Sequence, residues 1–140
     1  MLDALEYGVR LLPEASSRFP QVSGISFKVN LTVQSSVEVD KNETFVKING
    51  DRRVSNVKIG GIILDKKKIY KMSLDSFIGG GGDGYSMFSK YEEIYRTSKS
   101  DNEALIQYIG KQLNGIISDE YRTTQGELIL FQKKKKAWQL

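Results

Sequence analysis

Neither cysteine nor histidine occurs anywhere in these 140 residues, and each absence excludes chemistry. Without cysteine there is no disulfide framework and no thiolate metal site, although a core of this size needs no such staples even outside the cell. Without histidine the commonest metal ligand and the commonest general base are both missing. A Ser-His or Cys-His nucleophile pair is therefore impossible, and a metal could be held only through oxygen ligands. No apolar run approaches the length of a membrane span, and no signal peptide precedes the first helical pattern. The second of these absences counts only if the chain begins where its parent protein begins.

The length suits one domain, and the hydrophobic and charged fractions of 39% and 27% are those of an ordinary soluble globular protein. The net charge of +4 is concentrated partly in Lys133-Lys134-Lys135-Lys136, with Trp138 just beyond. Such a run could serve nucleic acid or a membrane surface. It reads equally as a solvated tail over residues 132–140, and no second basic patch supports nucleic acid as a partner.

Leu2, Leu5, Val9 and Leu12 fall at helical spacing, which predicts an amphipathic helix over residues 2–12 ended by Pro13. Ile25, Phe27 and Val29 alternate as in a strand. Thr44–Ile48 and Val54–Ile59 are two further strands, and Asn49-Gly50-Asp51 between them predicts a hairpin because Asn-Gly accepts the positive φ of a type I′ turn. Residues 30–53 as a whole read as an extended surface hairpin. Gly60-Gly61 is a second turn leading to Ile62–Leu64, and Ile69–Leu74 is strand-like. Met87, Phe88 and Tyr91 suggest a short helix. Ser100 with Glu103 forms a capping box ahead of an apolar helical face running from Ala104 to Ile117. Glu127–Phe131 closes the pattern as a strand. Strands in a block with helices at both ends predict an α+β fold with mostly antiparallel pairing.

Two loops concentrate the chemistry. In Phe77-Ile78-Gly79-Gly80-Gly81-Gly82-Asp83-Gly84-Tyr85 an aromatic and a carboxylate flank glycines. In Arg18-Phe19-Pro20-Gln21-Val22-Ser23-Gly24 a second aromatic heads a short turn-rich block. Gly79 to Gly84 formally satisfies G-x-G-x-x-G. However, no βαβ unit follows, no acidic residue ends a second strand, and no Lys-Ser or Lys-Thr pair makes it a phosphate-cradling loop. What remains is a backbone that comes close to something and needs conformational freedom. A wide structural turn would also satisfy that. Phe77 alone would read as a strand-end core residue and Phe19 as a plug under a loop. Tyr85 reads as an inward anchor packed with Met87 and Phe88. Asn30-Leu31-Thr32 and Asn42-Glu43-Thr44 match the glycosylation acceptor pattern, which such triplets also do by chance.

These blocks, together with Leu2-Asp3-Ala4-Leu5-Glu6-Tyr7-Gly8-Val9 and Leu64-Asp65-Lys66-Lys67-Lys68-Ile69-Tyr70, occur in an order that resembles the C-terminal, substrate-binding domain of the 5'-nucleotidase and UDP-sugar hydrolase family. The resemblance covers residues 1–131. It implies that Phe19 and Phe77 face each other across a gap one purine thick and stack the base. Asp83 at the rim would bond the ribose hydroxyls, with Gly81 and Gly82 giving close approach. Ser76 stands where the family commonly has asparagine, and Gly79 and Gly80 replace bulkier residues.

The resemblance further implies that hydrolysis belongs to a separate N-terminal metallophosphatase domain with two divalent metal ions. This chain itself would then carry no catalytic residue, no metal and no cofactor. It also implies further strands and polar substrate contacts, arginine among them, upstream of the opening helix. An open sheet edge left by such strands would favour a homodimer or strand-exchanged oligomer. The implied partners are a nucleotide or nucleoside and the metallophosphatase domain, and the implied location is extracellular, cell-surface or periplasmic. A different class stays open beside this one: a non-catalytic extracellular binding or adhesion module that kept the fold.

Overall fold

The computed structural model describes residues 1–118 and 128–131. Glu127 and the basic tail with Trp138 lie outside the described residues. The chain divides into two compact units, residues 1–89 with 126–140, and residues 90–125.

The first unit opens on helix α1, Leu2–Gly8. It is shorter than the apolar spacing predicts. The residue before a proline is pushed out of the helical region, so the last turns ahead of Pro13 unwind. Their carbonyls find a side-chain partner instead. The buried guanidinium of Arg53 donates through Nη1 to the carbonyls of Val9, Arg10 and Leu12 at 3.2, 3.2 and 2.9 Å, and through Nε to that of Val33 at 2.8 Å. At the same level the fully buried Glu6 carboxylate accepts the backbone N–H groups of Arg53 and Val54 at 2.6 and 3.1 Å. A buried charge is tolerated only when hydrogen-bonded in this way.

Four strands form the main sheet: β1 (Ile25–Asn30), β4 (Val54–Ile59), β5 (Ile62–Ile63) and β6 (Leu128–Phe131), in the order β5-β4-β1-β6. The pairs β1–β4 and β4–β5 are antiparallel, whereas β6 runs parallel to β1. A parallel neighbour needs a long crossover, and the second unit lies between β4 and β6 in the chain. Two short strands, β2 (Val37–Val39) and β3 (Phe45–Ile48), pair antiparallel in a separate sheet. The architecture is α+β and mostly antiparallel.

Two expectations fail here. The Asn49-Gly50-Asp51 turn does not join a hairpin: β3 pairs with β2, and β4 pairs with β1 and β5. The turn instead carries the chain from one sheet to the other, held by the Ser36 carbonyl accepting Asn49 N–H at 2.8 Å and by Ser36 Oγ donating to the Asp51 carbonyl at 2.6 Å. Ile69–Leu74 is not a strand. Among the described residues none pairs with it, and Ile69 is 92% exposed. Alternation without a partner backbone does not make a strand.

Helix α1 lies between two apolar clusters. Leu5 and Val9 face Phe27, Val29, Val54 and Val57 of the main sheet. Ala4 and Tyr7 face Tyr85 and Met87, with Val37, Val39 and Phe45 of the small sheet packed around them. The region read as a surface hairpin is thus partly core.

In the second unit, helix α3 (Asp101–Gln107) passes into a π-helical turn, Tyr108–Gln112. The capping signal is realised: the Glu103 carboxylate accepts the Ser100 backbone N–H at 2.9 Å and its hydroxyl at 2.8 Å. The helical path ends near Asn114 and Gly115, both in the left-handed region, short of the predicted Ile117.

Candidate functional site

The glycine loop is built by local rules. Asp75 caps the short helix α2 (Ser76–Gly79), its side chain accepting the N–H groups of Phe77 and Ile78 at 2.8 and 3.3 Å. Phe77 sits in that first turn and is 61% exposed, which removes the core reading for this ring. A Cβ on Gly82 would come within 2.6 Å of the Phe77 ring, so only glycine lets the aromatic lie over the loop backbone. Gly82–Gly84 then form a single 3-10 turn in which Asp83 takes the left-handed conformation, φ 52°. A non-glycine residue there costs energy and persists where its surroundings hold it.

What holds it is Tyr7. The Tyr7 hydroxyl lies 2.8 Å from the Asp83 carbonyl and 2.6 Å from the Glu43 carbonyl. Gly84 follows in the positive-φ region, and a side chain there would collide with the same hydroxyl. The Asp83 side chain points elsewhere. It is exposed and accepts no hydrogen bond among the described residues, so its oxygens are available to a ligand.

Tyr85 is buried against Tyr7, ring centroids 4.8 Å apart and edge to face, and is stacked on Phe88. It is the inward anchor its position predicts. Its hydroxyl donates to the Arg18 carbonyl at 2.5 Å. The loop bearing Phe77 and Asp83 is thereby tied to the residue preceding Phe19. Burial raises both phenols, Tyr85 to about 12, so both stay protonated donors.

Phe19 is half-buried and rests on the main-sheet cluster. It lines a cleft of about 300 Å³ with Gly8, Leu12, Pro13 and residues 14–16 and 21, a volume at the small end for ligand sites. Phe77 and Asp83 do not line that cleft. Neither Phe19 nor Phe77 touches another aromatic ring among the described residues.

Beside the two loops sits a charged group that sequence patterns did not single out. Glu43, at the turn between β2 and β3, receives Arg10 Nη2 at 3.1 Å and lies 4.0 Å from Arg18 Nη1. The Arg10 guanidinium also covers the Tyr7 ring at 4.1 Å. Tyr7 belongs to a recognisable block, but nothing local marks its hydroxyl as the contact to Asp83. Among the described residues no group of three or more acidic side chains is placed to hold a metal ion.

Comparison with known proteins places the chain in a family. A family model described as "5'-nucleotidase, C-terminal domain" matches residues 1–90. Protein 5NUC of Lutzomyia longipalpis is 35% identical over 111 residues, which is 77% of this chain and 18% of that protein. The 5'-nucleotidase of Diplobatis ommata is 30% identical over 126 residues, 90% of this chain and 20% of that one. The crystal structure of a 5'-nucleotidase precursor from Thermus thermophilus superposes with a TM-score of 0.62, covering 95% of this chain and 23% of the other. At 22% identity that likeness is one of fold. The chain spans a fifth or less of the curated relatives it matches.

Proposed function

The chain belongs to the family of 5'-nucleotidase C-terminal domains, and from that premise we propose that it recognises the nucleoside part of a nucleotide whose phosphate ester is hydrolysed by another domain of the same protein. Phe19 and Phe77 stack the base, each stack contributing about 1–3 kcal/mol whatever the base. Asp83 accepts the ribose hydroxyls through charge-assisted hydrogen bonds. Gly81 and Gly82 let the backbone approach the ligand. Residues 1–131 form this recognition part.

The observation that supports the reading most is the tether between the two loops. The Tyr85 hydroxyl on the Arg18 carbonyl makes neighbours of the segments that carry the two aromatics and the carboxylate. An exposed Phe77 and an unengaged Asp83 carboxylate are what a site awaiting a ligand presents.

Hydrolysis is assigned to an N-terminal metallophosphatase domain with two divalent ions. With no histidine or cysteine and no acidic cluster among the described residues, the residues present do not fit such a metal centre. The chain alone is expected not to turn over AMP with added divalent metal. Two stacks and a sugar contact are largely offset by the cost of association, so AMP should bind at about the millimolar level. Titration of the labelled chain with AMP, followed by NMR, tests this. Saturable shifts in the glycine-loop amides that Asp83→Asn weakens are expected. The absence of any such shift at high millimolar AMP would reject the reading. For the whole protein we place the site outside the cytoplasm, as the family resemblance implies; cell fractionation of the parent checks it.

A further inference from the structure

We propose that Tyr7 and Tyr85 are positioning residues for this site: their two hydroxyls set the Asp83 loop and the Phe19 loop in register with each other. The inference rests on the nucleoside reading above and concerns residues that reading does not place against the ligand.

The two rings form one buried edge-to-face pair, yet each hydroxyl leaves the apolar cluster and ends on the backbone of a different loop. Tyr7 reaches the carbonyl of Asp83, and Tyr85 reaches that of Arg18, the residue before Phe19. A phenol carries one proton, so Tyr7 shares its donor between Asp83 and Glu43. The β2–β3 turn is drawn into the same junction, where Ser86 Oγ adds a bond of 2.7 Å to the Phe45 carbonyl.

The space for both hydroxyls is made by glycine. A Cβ on Gly84 would strike the Tyr7 oxygen, and a Cβ on Gly8 would lie 2.6 Å from the Tyr85 oxygen. Two glycines from separate segments, each leaving room for one phenol oxygen, make this arrangement a built junction. The left-handed backbone of Asp83 supplies the need. Its carboxylate is aimed by a conformation that the residue does not favour by itself, and the Tyr7 hydroxyl engages the carbonyl of that same residue. High phenol pKa values keep the donors intact through the neutral range.

Phenylalanine at either position keeps the ring and its packing while removing the register contact. The labelled full chain is titrated with AMP as wild type, Tyr7→Phe, Tyr85→Phe and Phe77→Ala, with thermal unfolding recorded for each. The expected result is AMP affinity about three- to tenfold weaker in each tyrosine variant, the factor one net hydrogen bond contributes. Amide shifts of Asp83 and Gly84 should move in the ligand-free Tyr7→Phe protein, and those of Arg18 and Phe19 in Tyr85→Phe. Adding excess AMP should saturate both variants, because the ligand groups remain. If Phe77→Ala weakens binding but both tyrosine variants bind AMP as tightly as wild type, this inference is overturned and the site reading stands. If wild type shows no AMP-dependent shifts, the site reading fails and takes this inference with it. Should Tyr7→Phe not fold, Tyr85→Phe decides alone, since its contact lies on the other loop.

Discussion

Asp83 and Phe77 show at the scale of one residue how a loop can be tight and still offer its side chains. The backbone of Asp83 is held by Tyr7, the ring of Phe77 rests over Gly82, and both side chains remain in solvent. Phe77→Ala is therefore expected to change stability by no more than about 0.5 kcal/mol, while weakening AMP binding about tenfold by loss of one stack. Denaturant unfolding and an NMR titration of the same variant separate the two effects, and an unchanged affinity would remove Phe77 from the site. Arg53 behaves oppositely. Its buried guanidinium satisfies four backbone carbonyls, so Arg53→Met should lower stability by about 3 kcal/mol or more, each stranded carbonyl costing about 1–3. A shift in the urea midpoint at constant slope would register that loss.

Among the elements, α1 organises the first unit. Leu5 and Val9 serve one cluster, Ala4 and Tyr7 the other, and every side chain from Ala4 to Tyr7 is buried. Its apolar spacing predicts the first of these faces and says nothing of the second, which depends on a hairpin far along the chain. The Asn49-Gly50 signal shows the same limit. It marks a turn correctly, because backbone freedom is local, but cannot say which strands lie on either side of it. The capping box of α3 is legible because it is contained within one turn. Hydrogen bonds from Ser100 hold the Glu103 carboxyl below the usual range. A depressed carboxyl stabilises the folded form above its unfolded value and ceases to do so as pH falls through the folded one. Circular dichroism should thus show α3 fraying on acidification below about pH 4.3, the ordinary glutamate value. Ser100→Ala should show part of that fraying already at neutral pH.

For the molecule as a whole the buried phenol pair is expected to shape the alkaline limit. Burial raises Tyr85 to about 12, and the neighbouring Tyr7 adds to the shift. A group whose folded pKa is raised stabilises the fold below its unfolded value and loses that contribution as pH rises through the folded one. Stability should hold to about pH 10, the ordinary phenol value, and fall from there towards 12. Phenolate absorbance followed together with unfolding tests this. Tyr85→Phe should flatten the alkaline limb, and an unaltered limb would relieve Tyr85 of the role. Among the described residues β5 ends the main sheet, with Ile62 and Ile63 exposed, and we propose that a second copy adds there, because an open strand edge templates pairing. Light scattering should then report a dimer that Ile63→Lys dissociates.

Reading along the chain suffices for the family, the α+β class, the opening helix, the strands over Ile25–Val29 and Val54–Ile59, and the glycine loop as a place of close approach. Each of these is written in spacing, turn chemistry or a short ordered block. It took the folded chain to reveal that β2 and β3 form a sheet of their own, that β6 runs parallel to β1, and that the two loops meet through Tyr7 and Tyr85. Those facts rest on a strand pairing that sets Phe27 opposite Leu128 and on a Tyr7–Asp83 hydrogen bond spanning 76 positions, and no local periodicity encodes where a hydroxyl will end once the chain has closed around it.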